Sequence, residues 1–357
     1  MTMRTRELLR EAFRNTRSRT SLPVAQFVSL LLVVGLLGAL DGLSVANAVG
    51  AYRAFIASGA TVATATGEGS FDGRECEIIS DLDSVRISGA AREHGTVTFD
   101  LMPSNPVPLW EVTPGFARLL TGDVTVPTSG LLLAEQVAES IGRGPGDTVG
   151  VSGGAASIGA RYQYPDDGRI PGFGWAVLSI VPAVGEFDQC WVDIPSSEPS
   201  LALLPLAAGK AGKSADVSVA QLNSTLGGHF DLEVRLEERP TRIAPWLSLL
   251  LAGIVSLVVV RLRRVQMASV LHVGVSRPAL LLQTLIETVI VTTPAACLLS
   301  VGCVLFASHA DLLEPWVLLG PLLKVVTGAF DGSMLGALLG AFVVNERVLY
   351  RSFRDRA

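Results

Sequence analysis

Residues 258–291 read VVVRLRRVQMASVLHVGVSRPALLLQTLIETVIV, and this stretch decides the fold. An apolar run ends in Arg261, Arg263 and Arg264, a short mixed segment follows, and Arg277 and Pro278 open a second apolar run. Two hydrophobic helices joined by a basic turn is the pattern of a membrane hairpin whose turn faces the cytoplasm. Working outward, apolar spans cover about Ile243–Leu262, Ala279–Ala307 and Val325–Val344, and a fourth precedes them at Val24–Val45. A helix needs roughly 20 residues to cross a hydrocarbon core of about 30 Å, and each span is long enough. The expected fold is therefore membrane α-helical, with four transmembrane helices and a large α+β extracytoplasmic domain inserted between helices 1 and 2.

Charge orients the chain. Arg4, Arg6, Arg10, Arg14, Arg17 and Arg19 precede the first span, and Arg347, Arg351, Arg354 and Arg356 follow the last. The connection between spans three and four carries Asp311 and Glu314, with no base before Lys324 at the edge of the fourth span. By the positive-inside rule both termini and the 263–278 segment are cytoplasmic, and residues 46–242 lie outside. That outer segment holds 24 acids and 13 Lys or Arg, a net of −11. With 49% apolar residues the chain is not that of a soluble enzyme. Its bases flank spans, where topology and lipid headgroups account for them, so no nucleic-acid partner is expected. The run Val24–Leu40 exceeds the 7–15 residues of a signal peptide core, which favours an uncleaved helix over cleavage near Ala46-Asn47-Ala48. Before it, Leu8, Leu9, Ala12 and Phe13 share one helical face and Arg6, Arg10, Arg14 and Arg17 another, the pattern of an amphipathic helix over 1–23 at the inner membrane surface, the alternative being a frayed basic tail that only sets topology.

Within the outer segment, strands are expected at Thr61–Thr66, Val85–Ala90, Thr96–Met102, Val149–Val151, Ser157–Tyr164, Trp175–Pro182, Cys190–Ile194 and Phe230–Glu237. Helices are expected at Arg74–Asp81, Leu131–Ile141 and Val217–Leu226. Proline-rich breaks at Pro103, Pro106 and Pro108 and at 195–199 divide it into two lobes, the middle one spanning about 110–194. Cys76 and Cys190 are the only cysteines outside. In an oxidising compartment they have one intramolecular pairing, the alternative being two separate buried thiols. Cys297 and Cys303 sit within the third span as packing residues.

Catalytic motifs fail on inspection. Residues 207–214, AAGKAGKS, end like a phosphate-binding loop at Gly212-Lys213-Ser214, but Ala207 stands at the first glycine position. Ser152 in GVSGGA lacks the nucleophile-elbow spacing. His94, His229, His272 and His309 fall in different compartments, so no metal site is expected. No span shows the repeated inward polar residues of a hydrophilic pore. The exceptions are Glu287 and Lys324, near span ends where a side chain can snorkel, and Asp331.

The opening stretch resembles the cytoplasmic connection of FtsX-like permeases, in the MacB and LolC/LolE group of ABC transporters. Arg263 and Arg264 match the family's basic pair, Leu271 its leucine, Gly274, Ser276 and Arg277 its G-x-S-R turn, and Glu287 its glutamate. Gln266 and His272 depart from the pattern, as does the tail NERVLYRSFRDRA. VTPGFARLL and LLLAEQVAESIGRGPGDTV are similar to the family's outer domain. The resemblance implies a non-catalytic permease subunit in a bacterial cell membrane. It implies a second permease chain, identical or not, and a cytoplasmic ABC ATPase dimer that holds the ATP and magnesium, leaving no cofactor in this chain. Arg264, Met267, Val270, Leu271, Gly274 and Arg277 would form the coupling segment, with Met267, Val270 and Leu271 as an apolar patch for the ATPase; the alternative is a short loop helix packed on its own bundle. The work done would be export or extraction of a peptide, lipoprotein or other envelope substrate, without passage through the helices. An FtsX-type regulator of an extracytoplasmic partner, such as a cell-wall hydrolase, shares the same layout.

Overall fold

The computed structural model describes residues 5–18, 22–122, 130–195, 199–210, 217–309 and 316–344. In chain order its elements are α1 (Thr5–Arg17), α2 (Pro23–Ala57), β1 (Val62–Asp72), α3 (Gly73–Ile78), β2 (Ile87–Phe99), β3 (Met102–Val112), α4 (Pro114–Thr121), β4 (Leu131–Ala134), α5 (Glu135–Ile141), β5 (Thr148–Val151), β6 (Gly154–Tyr162), β7 (Val177–Ile180), β8 (Glu186–Asp193), β9 (Ser218–Gln221), α6 (Leu232–Glu237), α7 (Ala244–Leu262), α8 (Arg264–His272), α9 (Arg277–His309) and α10 (Trp316–Phe342). They form two compact units, Ala51–Asp231 and the helical remainder, Met1–Gly50 with Leu232–Ala357.

In the sheet unit, β2, β3, β7, β4, β6 and β5 pair successively. The ring closes where β5 returns to β2: Phe99 faces Val151, Asp100 N donates to Gly150 O (3.0 Å) and Ser152 N donates to Thr98 O (2.9 Å). Closure removes free strand edges. The other half of β2, Ile87–Ala91, pairs with β8, which continues through β1 to β9. Each half has its own apolar cluster. The ring encloses Phe99, Leu132, Leu133, Ile158, Leu178 and their neighbours, and Trp191, Phe116 and Phe173 stack at centroid distances of 4.7–5.4 Å. The second cluster gathers Phe71, Phe187 and Val192 around the Cys76–Cys190 disulfide, whose Cα atoms are 6.0 Å apart. This bridge pins α3 to β8, and Asp72 caps α3 by accepting from Arg74 N (2.9 Å) and Glu75 N (3.3 Å).

Four expectations for this unit need correction. Pro103, Pro106 and Pro108 do not break the chain but lie in β3. There β3 pairs only with β2, and β7 joins from Leu109 onward, so the prolines lie where β3 is an edge, the place in a sheet where proline is tolerated. Leu131–Ile141 is not one helix: Leu131–Ala134 is a strand of the ring and only Glu135–Ile141 is helical. Its LLLA run is apolar on both faces, which a buried strand and a helix share. Val217–Leu226, expected as a helix, contains β9, and Phe230–Glu237, expected as a strand, contains α6. Both are short segments whose partners, not their periodicity, set the conformation. Gly212, Lys213 and Ser214 lie outside the described residues.

The helical unit holds α1, most of α2 and α6–α10. Four helices are long and apolar enough to cross a membrane: Pro23–Ala57, Pro240–Leu262, Arg277–His309 and Trp316–Phe342. The tightest contact joins α10 to α7. Gly332 and Gly336 leave no room for a side chain, since a Cβ on either would sit 2.0 Å from the backbone oxygen of Leu249 or Gly253. Small residues let helix backbones approach where lipid supplies no hydrophobic drive. Hydrogen bonds also cross between helices, among them Ser248 Oγ to Val325 O (2.7 Å) and Gln26 Nε2 to Ser256 Oγ (3.1 Å).

Candidate functional site

Where α7 ends, Arg263 leaves helical geometry and α8 begins at once, with Met267 N donating to Arg263 O (3.1 Å). Gly274, at φ 98°, turns the chain toward α9, a conformation that L side chains rarely adopt. This cross-helix is fixed by a buried polar cluster. Arg263 Nη1 pairs with Glu287 Oε2 of α9, and both side chains are nine-tenths or more buried. The other carboxylate oxygen accepts from Asn15 Nδ2 of α1 (2.8 Å) and from Gln283 Nε2 (3.3 Å). One carboxylate thus ties together α1, the start of α8 and α9. Arg263 Nε is buried without a partner among the described residues. Beside the cluster an open cleft of about 440 Å³ is lined by Glu11, Asn15, Gln266, Ser269 and Gln283. Removing one member of such a pair strands a buried charge, at a cost of about 3–5 kcal/mol.

The six coupling residues divide. Met267 and Leu271 are buried, with Ala268, against Val260, Leu280, Ala337, Ala341 and Val344 of the same chain, and Val270 packs beside them. The expected apolar patch for a partner is therefore turned inward: it is the core of this end of the bundle. Arg264, Gly274 and Arg277 are exposed, and the outer face of α8 is completed by Val265, Gln266, Ser269, His272 and Val273. Val273 is 86% exposed.

Other polar residues in the spans also need correction. Glu287 does not snorkel but is the buried hub. With Gln283, Thr284, Thr288 and Thr292 it forms an inward polar row on α9 that the sequence reading did not anticipate. The three threonine hydroxyls are satisfied by carbonyls one turn back, at 2.8–2.9 Å. Lys324 and Asp331 are both exposed on α10, with Lys324 two turns inside the helix rather than at its end. A second pair went unread: Asp41 of α2, fully buried, accepts from Arg239 Nε at 3.0 Å. The acid inside the first apolar run was the available signal. In α1, Ala12 is buried while Phe13 is 66% exposed, so the two apolar residues part company.

The described residues contain no group of three or more His, Cys, Asp or Glu placed to hold a metal. No protein-family model and no curated protein matches the sequence. Among solved structures, a domain of a presumed permease protein from Porphyromonas gingivalis aligns at 16% identity and a TM-score of 0.34, over 50% of this chain and 98% of that one.

Proposed function

We propose that this chain is the membrane subunit of an FtsX-like, MacB-like ABC permease, in a bacterial cell membrane with both termini cytoplasmic. A separate cytoplasmic ATPase dimer binds ATP and magnesium, and this chain carries its movement to the outer domain. The observation that supports the reading is the clamped cross-helix. A lever needs one face free for the motor and the other rigidly joined to what it moves. The free face of α8 is Arg264, Val265, Gln266, Ser269, His272 and Val273. Its fixed side is the Met267–Leu271 core and the Arg263–Glu287 pair, which passes force to α9 and, through Asn15, to α1. Exposed valines beside an arginine suit a protein groove at the membrane surface.

The remaining partners are a second permease chain, membrane lipids and an extracytoplasmic protein or lipoprotein. The work is export or extraction of a peptide, lipoprotein or other envelope substrate. Val265→Asp with Val273→Asp puts two charges on the free face without touching the inward core. Membrane levels of the chain should stay within twofold of wild type while ATPase co-purification falls at least tenfold. Wild-type recovery of the ATPase with that variant would sink the assignment. Lys213→Ala should leave ATP hydrolysis by the complex unchanged, and a loss comparable to that of an ATPase-site variant would count equally against it.

A further inference from the structure

The sheet has two edges of opposite character. Over residues 102–108 β3 pairs only with β2, and three prolines stand there. β9 ends the strand order at the other side, with β1 as its one strand partner among the described residues. It reads SVAQ, without the proline or charge that commonly keeps an edge from pairing with another chain.

Hydrogen-bond alternation shows which main-chain groups of β9 are open. Ile194 N donates to Thr61 O (2.9 Å), and Leu222 N donates to Val62 O (2.9 Å). Odd-numbered residues at this end of β1 therefore bond toward β8 and even-numbered ones toward β9. Thr64 and Thr66 stand opposite Ala220 and Ser218, so those two residues of β9 bond to β1. The N–H and C=O groups of Val219 and Gln221 point the other way, where no described strand lies. An open cleft of about 350 Å³ runs beside these two residues, lined also by Ile194, Ala202, Phe55 and Phe230 and by no Asp, Glu, Lys or Arg. Val219 and Gln221 stand opposite Ala65 and Ala63, which share an apolar cluster with Ile194. Residues of an added strand that face Val219 and Gln221 would put their side chains on that same side, over the cleft.

We infer that β9 is the docking edge for a polypeptide partner, which contributes an extended, uncharged segment as a further strand. The main-chain groups of Val219 and Gln221 bind its backbone, and the cleft takes every second side chain. The uncharged lining selects apolar residues at those alternate positions, and the open donors and acceptors select an extended conformation. Four main-chain hydrogen bonds on a four-residue edge make the contact one that forms and releases readily. The inference stands on the sheet unit alone, so its failure and the failure of the permease reading are separate results.

The test uses the purified full chain in lipid nanodiscs, titrated by fluorescence anisotropy with three end-blocked hexapeptides that alternate threonine with alanine, valine or leucine. At least one should bind. Methylating its four central backbone nitrogens in turn should weaken binding at least tenfold at every second position and less than twofold at those between. Failure of all three peptides to bind by about 1 mM, or a methylation response without that alternation, overturns the proposal. Val219→Pro removes an outward N–H and no bond to β1, so it should also weaken binding at least tenfold, and unchanged binding overturns the proposal. A photoreactive group on the peptide locates the contact in the wild-type chain if that variant does not fold. Adducts at residues 218–221 or in the cleft support the docking edge. Adducts elsewhere, or β9 already occupied by a second copy of the chain that the peptide does not displace, overturn it.

Discussion

The sheet unit and the helical unit are held together by opposite means. The sheet unit buries large side chains in two apolar clusters, with Trp191, Phe116 and Phe173 at the centre of one and a disulfide within the other. The helical unit leaves leucines and valines exposed along helices long and apolar enough to cross a membrane, where such residues gain little from meeting one another. It relies on backbone approach at glycines and on buried polar pairs, Arg263–Glu287 and Arg239–Asp41. Water drives the first kind of assembly. Steric fit and the cost of unpaired charge specify the second. A substitution that is mild in one unit is therefore severe in the other.

The largest effect should come from the disulfide, and only in the sheet unit. Cys76→Ser with Cys190→Ser releases a loop closed over 114 residues, worth about 4–5 kcal/mol in the chain-entropy model. Chemical denaturation of the purified chain, followed by the tryptophans of the sheet unit, should show that loss, and peptide mapping without reductant should show the bridge in the wild type. Free thiols at both positions would break the contrast.

Next is the hub of the helical unit. Glu287→Leu strands Arg263 and should cost about 3–5 kcal/mol, whereas Arg263→Met with Glu287→Met should recover most of it. Thermal stability in detergent measures both, and a double variant as unstable as the single would show that the charges themselves are required.

Smaller again is Gly336→Ala, whose added methyl meets Gly253 O of α7. Such overpacking costs about 1–3 kcal/mol, seen as a lowered midpoint for the helical unit alone. An unchanged midpoint would mean that the α7–α10 contact yields at little cost.

The smallest effect is a pH dependence of the sheet unit. The Tyr162 hydroxyl donates to Phe173 O at 2.8 Å, and burial, followed by the neighbouring Tyr164, pushes its pKa above the usual tyrosine range. Deprotonation then favours the unfolded chain. This stabilisation is complete below the unfolded value of about 10 and is lost as pH rises beyond it. Tyr162→Phe should cost about 1 kcal/mol at neutral pH and flatten the alkaline decline, read from unfolding midpoints between about pH 8 and about pH 10.5.

Much of the site was legible before the fold. Arg263, Glu287 and Gly274 all stand out in the opening stretch, as a basic pair, an acid in an apolar run and a glycine at a turn. What was misread is direction. Met267 and Leu271 are apolar and lie on a short segment between two long apolar helices, and nothing local distinguishes a patch kept for a partner from one that packs on Ala337 and Ala341, some seventy residues away. Asn15 was invisible for the same reason, since an asparagine at the end of an amphipathic helix signals nothing until Glu287 is beside it.

The sequence by itself determined the four apolar helices, their order around a large mixed domain, and the single pairing open to its two cysteines. These follow from properties that add up along the chain, such as hydropathy over a span's length and a count of residues of one type. Only the tertiary structure decided that three prolines lie in a strand, that LLLA joins a closed ring, and which bases meet the buried Asp41 and Glu287. Those outcomes rest on contacts between residues far apart in sequence, where the partner rather than the local pattern sets the free energy.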